Sequence, residues 1–159
     1  MEINIRGLEK SHFEQLYALF DQIDNLHHDS IPSIFKRSFD KKGVKSHLEN
    51  ILISKTHHIV VAVDKNENVL GFGEYIIKSI ENHKVFEDKK SINIVSIIVK
   101  KEYRCRGIGT KILKYIEDQT TLLKLDSTEL MVWGFNQPAI KFYESNGYET
   151  LFKKLHKKR

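Results

Sequence analysis

The spacing of apolar and polar positions predicts two helices near the start of the chain. Apolar and polar residues alternate over residues 3–6, as in a short strand. Apolar residues then recur at helical spacing over residues 13–23 and again over residues 44–52. The pattern is interrupted over residues 25–32, which predicts a break between the two helices.

Strands dominate the predicted structure from residue 59 onwards, and two further helices lie between them. Strands at residues 59–63 and 69–77 flank a polar turn, and a charged loop over residues 81–90 precedes the next strand. The remaining predicted elements are a strand at 92–99, a helix at 110–119, a strand at 130–133, a helix at 138–145 and a strand at 148–155. This order predicts a mixed α/β sheet with helices on both faces. A chain of 159 residues with 40% hydrophobic residues is expected to form a single domain, residues 1–159.

The positive charge of the chain is concentrated at its C-terminus. The formal net charge is +5, and the seven residues 153–159 carry five positive charges and no acidic residue. The rest of the chain is therefore neutral, without the spread of basic residues that a nucleic-acid-binding face would need. We expect a solvated tail and no nucleic-acid partner, with nucleic-acid binding through the tail as the alternative.

Cysteine content and hydropathy suggest a cytoplasmic protein. Cys105 is the only cysteine, so no intrachain disulfide can form. The N-terminus lacks the apolar core of a signal peptide, and no apolar run approaches the length of a membrane span. We expect a soluble, cytoplasmic protein with no membrane partner.

The segment from Arg104 to Gly109 has the character of a phosphate-binding loop. It reads Arg-Cys-Arg-Gly-Ile-Gly and lies between an apolar strand and a helical stretch. Glycines allow positive φ and close approach of a ligand, and a helix N-terminus attracts anions. The spacing matches neither a P-loop nor a dinucleotide-binding fingerprint, because the required Gly-Lys-Ser/Thr and the third glycine are missing.

The loop and a second motif resemble the GCN5-related N-acetyltransferase (GNAT) family. Arg104 to Gly109 fits the pattern of Gln or Arg, two residues, Gly, any residue, then Gly or Ala. Residues 136–148 resemble a second family pattern, in which Asn, two residues, Ala, two residues and Phe-Tyr precede Gly-Tyr. The two motifs occur in the family's order, and the resemblance covers residues 59–152.

The resemblance implies a fold, a cosubstrate and a reaction. The fold is a mostly antiparallel twisted sheet with helices on both faces and a splayed central strand pair. Acetyl-CoA would lie in the splay, and its acetyl group would pass to a primary amine by direct transfer in a ternary complex. The implied acetyl-CoA-binding residues are Ile97, Ile98, Val99, Arg104, Cys105, Arg106, Gly107, Ile108, Gly109, Thr110, Asn136 and Ala139.

The resemblance suggests roles for three further residues, and each also has a structural alternative. Tyr143 matches the family tyrosine that donates a proton towards the coenzyme's sulfur. The alternative is that Tyr143 simply packs the last helix against the sheet. Asn136 could contact the coenzyme, cap the helix that Pro138 opens, or do both. The strand at residues 92–99 lacks the glutamate that many relatives carry there, so Glu74 on the neighbouring strand is the substitute base. A solvated glutamate is the alternative for Glu74.

The acceptor side and the partners are the least defined features. His27, His28 and Phe35 lie in a region that lines the acceptor side in this family, and surface histidines are the alternative. No metal is predicted, because a site at His27 and His28 would need another ligand and neither His57 nor His58 can be paired with them from sequence. The acceptor amine stays open, as does the choice between monomer and homodimer. A catalytically silent coenzyme A sensor is the alternative function.

Overall fold

A single five-stranded sheet forms the centre of the computed structural model, which describes residues 2–157. The strands are hydrogen-bonded in the order in which they occur along the chain. Every neighbouring pair is antiparallel except the last, β4 with β5, which is parallel. The strands are β1 (Asn4–Gly7), β2 (His57–Val63), β3 (Val69–Ile80), β4 (Lys89–Val99) and β5 (Ser127–Leu130).

Helices cover both faces of the sheet, as predicted, and each face has its own apolar core. The helices are α1 (Phe13–Ser30), α2 (Lys41–Ile53), α3 (Ile108–Leu122) and α4 (Gln137–Ser145). On one face α1 and α2 enclose a cluster that includes Leu16, Leu19, Leu48, Ile51, Val61, Phe72 and Ile98. On the other face α3 encloses a cluster that includes Ala62, Leu70, Ile92, Ile94, Ile112, Leu113 and Ile116, against which Phe142 and Tyr143 of α4 pack. Among residues 2–157, no helix combines the length and apolarity needed to cross a bilayer.

The pairing of β4 with β5 is short, and β4 continues past it. Four residue pairs join the two strands, from Ser91–Ser127 to Ile94–Leu130. The register of β4 with β3 shifts at this point: Ser96 pairs with Glu74 and Ile94 with Tyr75, so that Val95 is left as an extra residue in β4. Such a bulge bends a strand and increases its twist. Residues 96–99 of β4 are therefore paired with β3 but not with β5. The two strands splay apart as predicted, but the pair is not central, because β5 is the last strand of the sheet that residues 2–157 form.

The break predicted over residues 25–32 is mostly wrong, because α1 continues to Ser30. Helix α1 ends at Ile31, whose backbone is no longer helical and whose N–H donates to the His27 carbonyl. Ile31 precedes Pro32, and a proline disfavours the helical conformation of the residue before it. The proline therefore ends the helix, whereas the polar residues before it do not.

Two predicted strands differ from the structure. The strand predicted at residues 130–133 lies earlier, at Ser127–Leu130. It pairs with residues 91–94 of β4, which come before the bulge at Val95. Residues 148–155, predicted as a final strand, are not a strand, and Leu151, Phe152 and Leu155 are exposed. Apolar and aromatic residues favour a strand only in the right tertiary context, and they do not by themselves establish backbone pairing. Met1, Lys158 and Arg159 lie outside the described residues, so the charged tail is described only as far as Lys157.

Gly71 sets the distance between β3 and the far end of β4, which gives a test of the sheet. A Cβ atom at Gly71 would lie 2.5 Å from the Ile98 carbonyl oxygen and 3.1 Å from the Val99 Cα atom. Because backbone cannot move aside as a flexible side chain does, we expect Gly71→Ala to lower the free energy of unfolding by about 1–3 kcal/mol. Urea denaturation measures this difference.

Gly7→Ala is the matched control for that measurement, because no described atom lies within 4 Å of a Cβ at this strand position. Its effect should stay within about 0.5 kcal/mol. Equal stability of the two variants would show that β3 and β4 do not approach as closely as described.

Candidate active site

The loop between β4 and α3 presents a row of backbone N–H groups. Cys105 and Gly107 have φ of 57° and 77°, and Gly107 is the N-cap residue of α3. Within residues 2–157, the N–H groups of residues 105–110 donate no backbone or side-chain hydrogen bond. A positive φ in such a turn lets successive N–H groups converge on one anion, and the helix N-terminus adds partial positive charge. The loop can therefore hold a pyrophosphate.

Only one of the two predicted loop glycines has the predicted conformation. Gly107 adopts a positive φ and leaves open space, because no described atom lies within 4 Å of the position of a Cβ. Gly109 instead belongs to the first turn of α3, and a Cβ there would lie 3.5 Å from the ring of Phe142. Gly109 thus brings α3 and α4 close together, whereas Gly107 keeps the mouth of the loop open.

Arg104 and Arg106 stay available for an anion. The Nε of Arg104 donates to the Val99 carbonyl at 3.2 Å, and the guanidinium of Arg106 lies 5.4 Å from the centre of the Tyr103 ring. Within the described chain neither arginine forms an ion pair with a carboxylate. The loop therefore carries two positive charges that no acidic side chain neutralises.

The carbonyl of Val99, the last residue of β4, already accepts two hydrogen bonds. The Val99 carbonyl accepts from Gln22 of α1 at 3.3 Å as well as from Arg104. Ile98 is buried against α1 and α2, whereas Ile97 and Val99 pack towards the α3 face. The strand predicted to bind acetyl-CoA is thus contacted by α1 and by the charged loop at its C-terminal end.

Helix α4 brings Tyr143 to the α3 face of the sheet. The Tyr143 ring packs against Phe142 and Tyr148, with ring centroids 5.1 and 5.6 Å apart. Its hydroxyl forms no hydrogen bond to any group in residues 2–157. Burial raises the pKa of Tyr143 to about 12, so the phenol is protonated throughout the neutral range. Tyr143 is therefore both a packing residue and an unengaged proton donor.

Asn136 caps α4, as one of its two interpretations predicted. Its Oδ1 accepts from the Ala139 N–H at 3.3 Å, and Pro138 occupies the first turn. The cap fixes the start of the helix that carries Tyr143.

Glu74 is buried, so the alternative of a solvated glutamate is wrong. It lies on β3 opposite Ser96, one strand away from the point where β4 leaves β5. Its Oε1 atom lies 2.7 Å from the Nε2 of His57 and 3.0 Å from the Nε2 of His47. The hydrogen bond to Glu74 raises the pKa of His47 against the opposing effect of burial. The carboxylate thus faces the α1 and α2 side of the sheet with two imidazoles as its partners.

His27 and Phe35 form part of an aromatic cluster with Trp133 and Phe135. Their rings stack with centroids 4.8 Å apart, and Phe35 meets Trp133 edge-on at 4.9 Å. Phe135 meets His27 edge-on at 6.2 Å. Burial lowers the pKa of His27 despite the nearby Asp24 carboxylate, which favours a neutral imidazole. The cluster links α1 to the segment that follows β5.

His28 lies apart from this cluster. Its Nδ1 lies 3.1 Å from Asp29, whose carboxylate also accepts from Arg37 at 2.9 Å. The predicted acceptor-side residues are therefore divided: the structure brings together His27 and Phe35 but not His28.

Sequence reasoning missed His47, Trp133 and Phe135. His47 is three residues after Val44 and four before Ile51, and both of these residues pack into the core. A histidine on the apolar stripe of a helix was therefore a readable signal. Trp133 and Phe135 carried no comparable signal, because their significance depends on where β5 ends.

Comparison with known proteins identifies the family. A family model described as the acetyltransferase (GNAT) domain matches residues 55–150. The match covers more than half of the chain, and it includes the loop, Glu74 and Tyr143. The chain therefore belongs to the GNAT family of acetyltransferases, whose activity is acetyl-CoA-dependent acetyl transfer.

Solved structures share the whole fold. A mutant of the BH1408 protein from Bacillus halodurans aligns with a TM-score of 0.91 and 21% identity, over 98% of this chain and 99% of that one. The aminoglycoside N-acetyltransferase AAC(6')-Iy, solved in complex with CoA, aligns with a TM-score of 0.79 and 15% identity, over 99% of this chain and 95% of that one. A transcriptional regulator from Bacillus halodurans C-125 aligns with a TM-score of 0.77 and 15% identity, over 99% and 100%. At these identities the likeness concerns the fold.

The open mouth of the loop gives a test of coenzyme binding. Acetyl-CoA at 100 times its Kd should stabilise the chain by about 2.7 kcal/mol, a rise in Tm of about 5 to 10 °C. Gly107→Asp places a carboxylate where the pyrophosphate would lie and strains the positive φ, so we expect almost no rise in Tm. Thermal denaturation with and without acetyl-CoA measures the difference.

Gly7→Asp adds the same charge on β1, away from the loop, and should keep the full rise. If the Gly107→Asp variant melts cooperatively and its Tm still rises by about 5 °C or more with acetyl-CoA, the loop is not part of the binding site.

Proposed function

We propose that this GNAT-family chain is an N-acetyltransferase that moves an acetyl group from acetyl-CoA to a primary amine by direct transfer in a ternary complex. The observation that carries the proposal is the combination of the splay with the loop beside it. In the part of the chain that the structure describes, β4 has a free edge beyond the Ile94–Leu130 pair, and this edge leads to a turn whose N–H groups have no partner there. A strand edge suits the amides of pantetheine, and the turn suits a pyrophosphate.

Residues along this path would hold acetyl-CoA. The backbone of Ile97 to Val99 would pair with the pantetheine arm, and residues Arg104 to Thr110 would surround the pyrophosphate. Asn136 and Ala139, at the start of α4, would flank the coenzyme from the β5 side. A backbone N–H of the splayed segment would polarise the thioester carbonyl.

Glu74 would be the base. Its register opposite Ser96 sets it one strand away from the splay and on the face covered by α1 and α2. An ammonium has no lone pair, so the amine must lose one proton before it attacks the carbonyl carbon, and a buried carboxylate can accept that proton through a water molecule. The second proton, lost from the nitrogen as the amide forms, balances the one that the leaving thiolate takes up. His47 and His57 would orient this carboxylate.

Tyr143 would be the acid. It packs on the opposite face of the sheet from Glu74, and its hydroxyl is not engaged within the described chain. As the new C–N bond forms and the C–S bond breaks, the sulfur leaves as a thiolate, and the phenol would supply its proton. The amide product then carries the acetyl group, and the coenzyme leaves as a thiol.

The aromatic cluster would bind the acceptor. His27 and Phe35, together with Trp133 and Phe135, offer ring faces beside the splay, and ring faces attract ammonium groups. Before it loses its proton, an amine acceptor is such a group. His28, held by Asp29, would lie at the edge of this site.

A catalytically silent coenzyme A sensor is the second candidate function. It is favoured by the absence of any carboxylate from β4, which reads Lys-Lys-Ser-Ile-Asn-Ile-Val-Ser-Ile-Ile-Val. One protein of the same fold is a transcriptional regulator. Such a module would bind acetyl-CoA through the same splay and loop without turnover.

An acceptor screen separates the two functions. Labelled acetyl-CoA is incubated with amines that range from polyamines and aminoglycosides to amino acids, and both thiol release and N-acetyl product are measured. We expect at least one amine to be acetylated with one thiol released per product. Binding of acetyl-CoA without any product across the panel would favour the sensor.

Tyr143→Phe tests the acid, because it removes only the hydroxyl. With the best acceptor we expect kcat to fall by roughly 10- to 1000-fold and the affinity for acetyl-CoA to stay nearly unchanged. The pKa of Tyr143 is raised to about 12, so the phenol stays in its acid form and the ratio of the two kcat values should be constant from pH 6 to 10.

Tyr148→Phe is the control for Tyr143→Phe. The Tyr148 hydroxyl already donates to Glu117 at 3.1 Å, so its loss should affect stability more than turnover. Unaltered kcat in Tyr143→Phe would make Tyr143 a packing residue only.

A further inference from the structure

Three side chains from three different elements converge beneath α2. His47 is on α2, His57 on β2 and Glu74 on β3, and one ligand atom of each lies within 4.8 Å of the other two. The two imidazoles approach the same carboxylate oxygen through the same ring atom, Nε2. The elements that carry them are held by the sheet pairing of β2 with β3 and by the packing of α2 into the core.

The spacing of these atoms is close to that of a metal coordination sphere. Zinc bonds imidazole nitrogen and carboxylate oxygen at about 2.0–2.2 Å, so tetrahedral ligand atoms lie about 3.3 Å apart. The two nitrogen-to-oxygen distances are 2.7 and 3.0 Å. All three ligand atoms lie within 4.8 Å of one another, so a small rearrangement of the three side chains would be enough to seat an ion between them.

The charge and exposure of the cluster also suit a cation. The Glu74 side chain is 5% exposed, and among residues 2–157 no lysine or arginine pairs with it, so its charge is balanced only by imidazoles. A buried carboxylate needs a positive partner, which a metal ion can supply in place of a protonated imidazole. The His47 side chain is 39% exposed and provides the route by which an ion could enter.

We propose that His47, His57 and Glu74 form a zinc-binding site with a fourth position open to water. Two imidazoles and one carboxylate favour zinc over magnesium or calcium, which prefer all-oxygen ligands. The site was not expected from the sequence, because its ligands come from positions with no motif spacing.

The metal would compete with catalysis. A carboxylate that ligates zinc cannot accept a proton from an amine, so zinc-loaded protein would be inactive. This consequence rests on the proposed role of Glu74 as base, whereas the metal site itself does not. Zinc affinity is therefore measured without acetyl-CoA, and the two ideas can fail separately.

The experiment titrates the full chain with zinc against a chromophoric chelator, and with cobalt for its visible absorption. We expect one tight zinc per chain and the absorption of tetrahedral cobalt with nitrogen and oxygen ligands. His57→Asn and Glu74→Gln each remove a direct ligand and should weaken zinc binding by at least about 100-fold, since the loss of a group that only hydrogen-bonds to a ligand already costs about 10- to 100-fold. Thermal melts without metal establish that each variant is folded.

His58→Asn is the matched control, since His58 neighbours His57 on β2 but contacts the Lys55 carbonyl instead of Glu74. Its zinc affinity should stay within about twofold of the unmutated chain. The absence of stoichiometric zinc binding, or binding that survives in both His57→Asn and Glu74→Gln, would overturn the proposal. Zinc-bound protein that turns over at the full rate would leave the metal site and remove Glu74 as the base.

Discussion

The separation of β4 from β5 is the constraint on which the site depends. The two strands are paired over only four residues, and the extra residue Val95 bends β4 away at the end of that pairing. A strand with a free edge inside a protein leaves backbone groups that need partners. The Val99 carbonyl is satisfied by Gln22 and Arg104. Among residues 2–157, the rest of this edge has no strand partner, as the proposed pairing with pantetheine requires. The same bulge sets Glu74 opposite Ser96, so one irregularity positions both the proposed acetyl-CoA path and the proposed base.

The sheet also separates Glu74, the proposed base, from Tyr143, the proposed acid. Glu74 faces α1 and α2, whereas Tyr143 packs into the cluster under α3. In a closed sheet these two faces could not share a reacting group. Because the splay opens between the faces, a thioester lying in it would be reached by an amine from one side and by the phenol from the other. This arrangement favours direct transfer, in which no side chain has to hold the acetyl group.

The sequence predicted what depends on local pattern and on motifs. The helices at residues 44–52 and 110–119, the antiparallel meander and the anion-binding loop could all be read from spacing, and Asn136 was recognised as a possible cap. The last strand was predicted wrongly, because the apolar residues in positions 148–155 do not by themselves show whether the backbone pairs with an edge of the sheet. The end of α1 depends on Pro32 alone, so the polar run before it misled the prediction.

Glu74 illustrates how tertiary contacts alter the chemistry of a residue. As a sequence position it was one glutamate on a meander, where solvent exposure is the ordinary expectation. The folded chain buries it, because His57 pairs opposite Ile76 on the adjacent strand and α2 brings His47 over the same oxygen. These contacts join residues 10, 17 and 27 positions apart. The burial of this carboxylate and its pairing with two imidazoles are thus products of the fold.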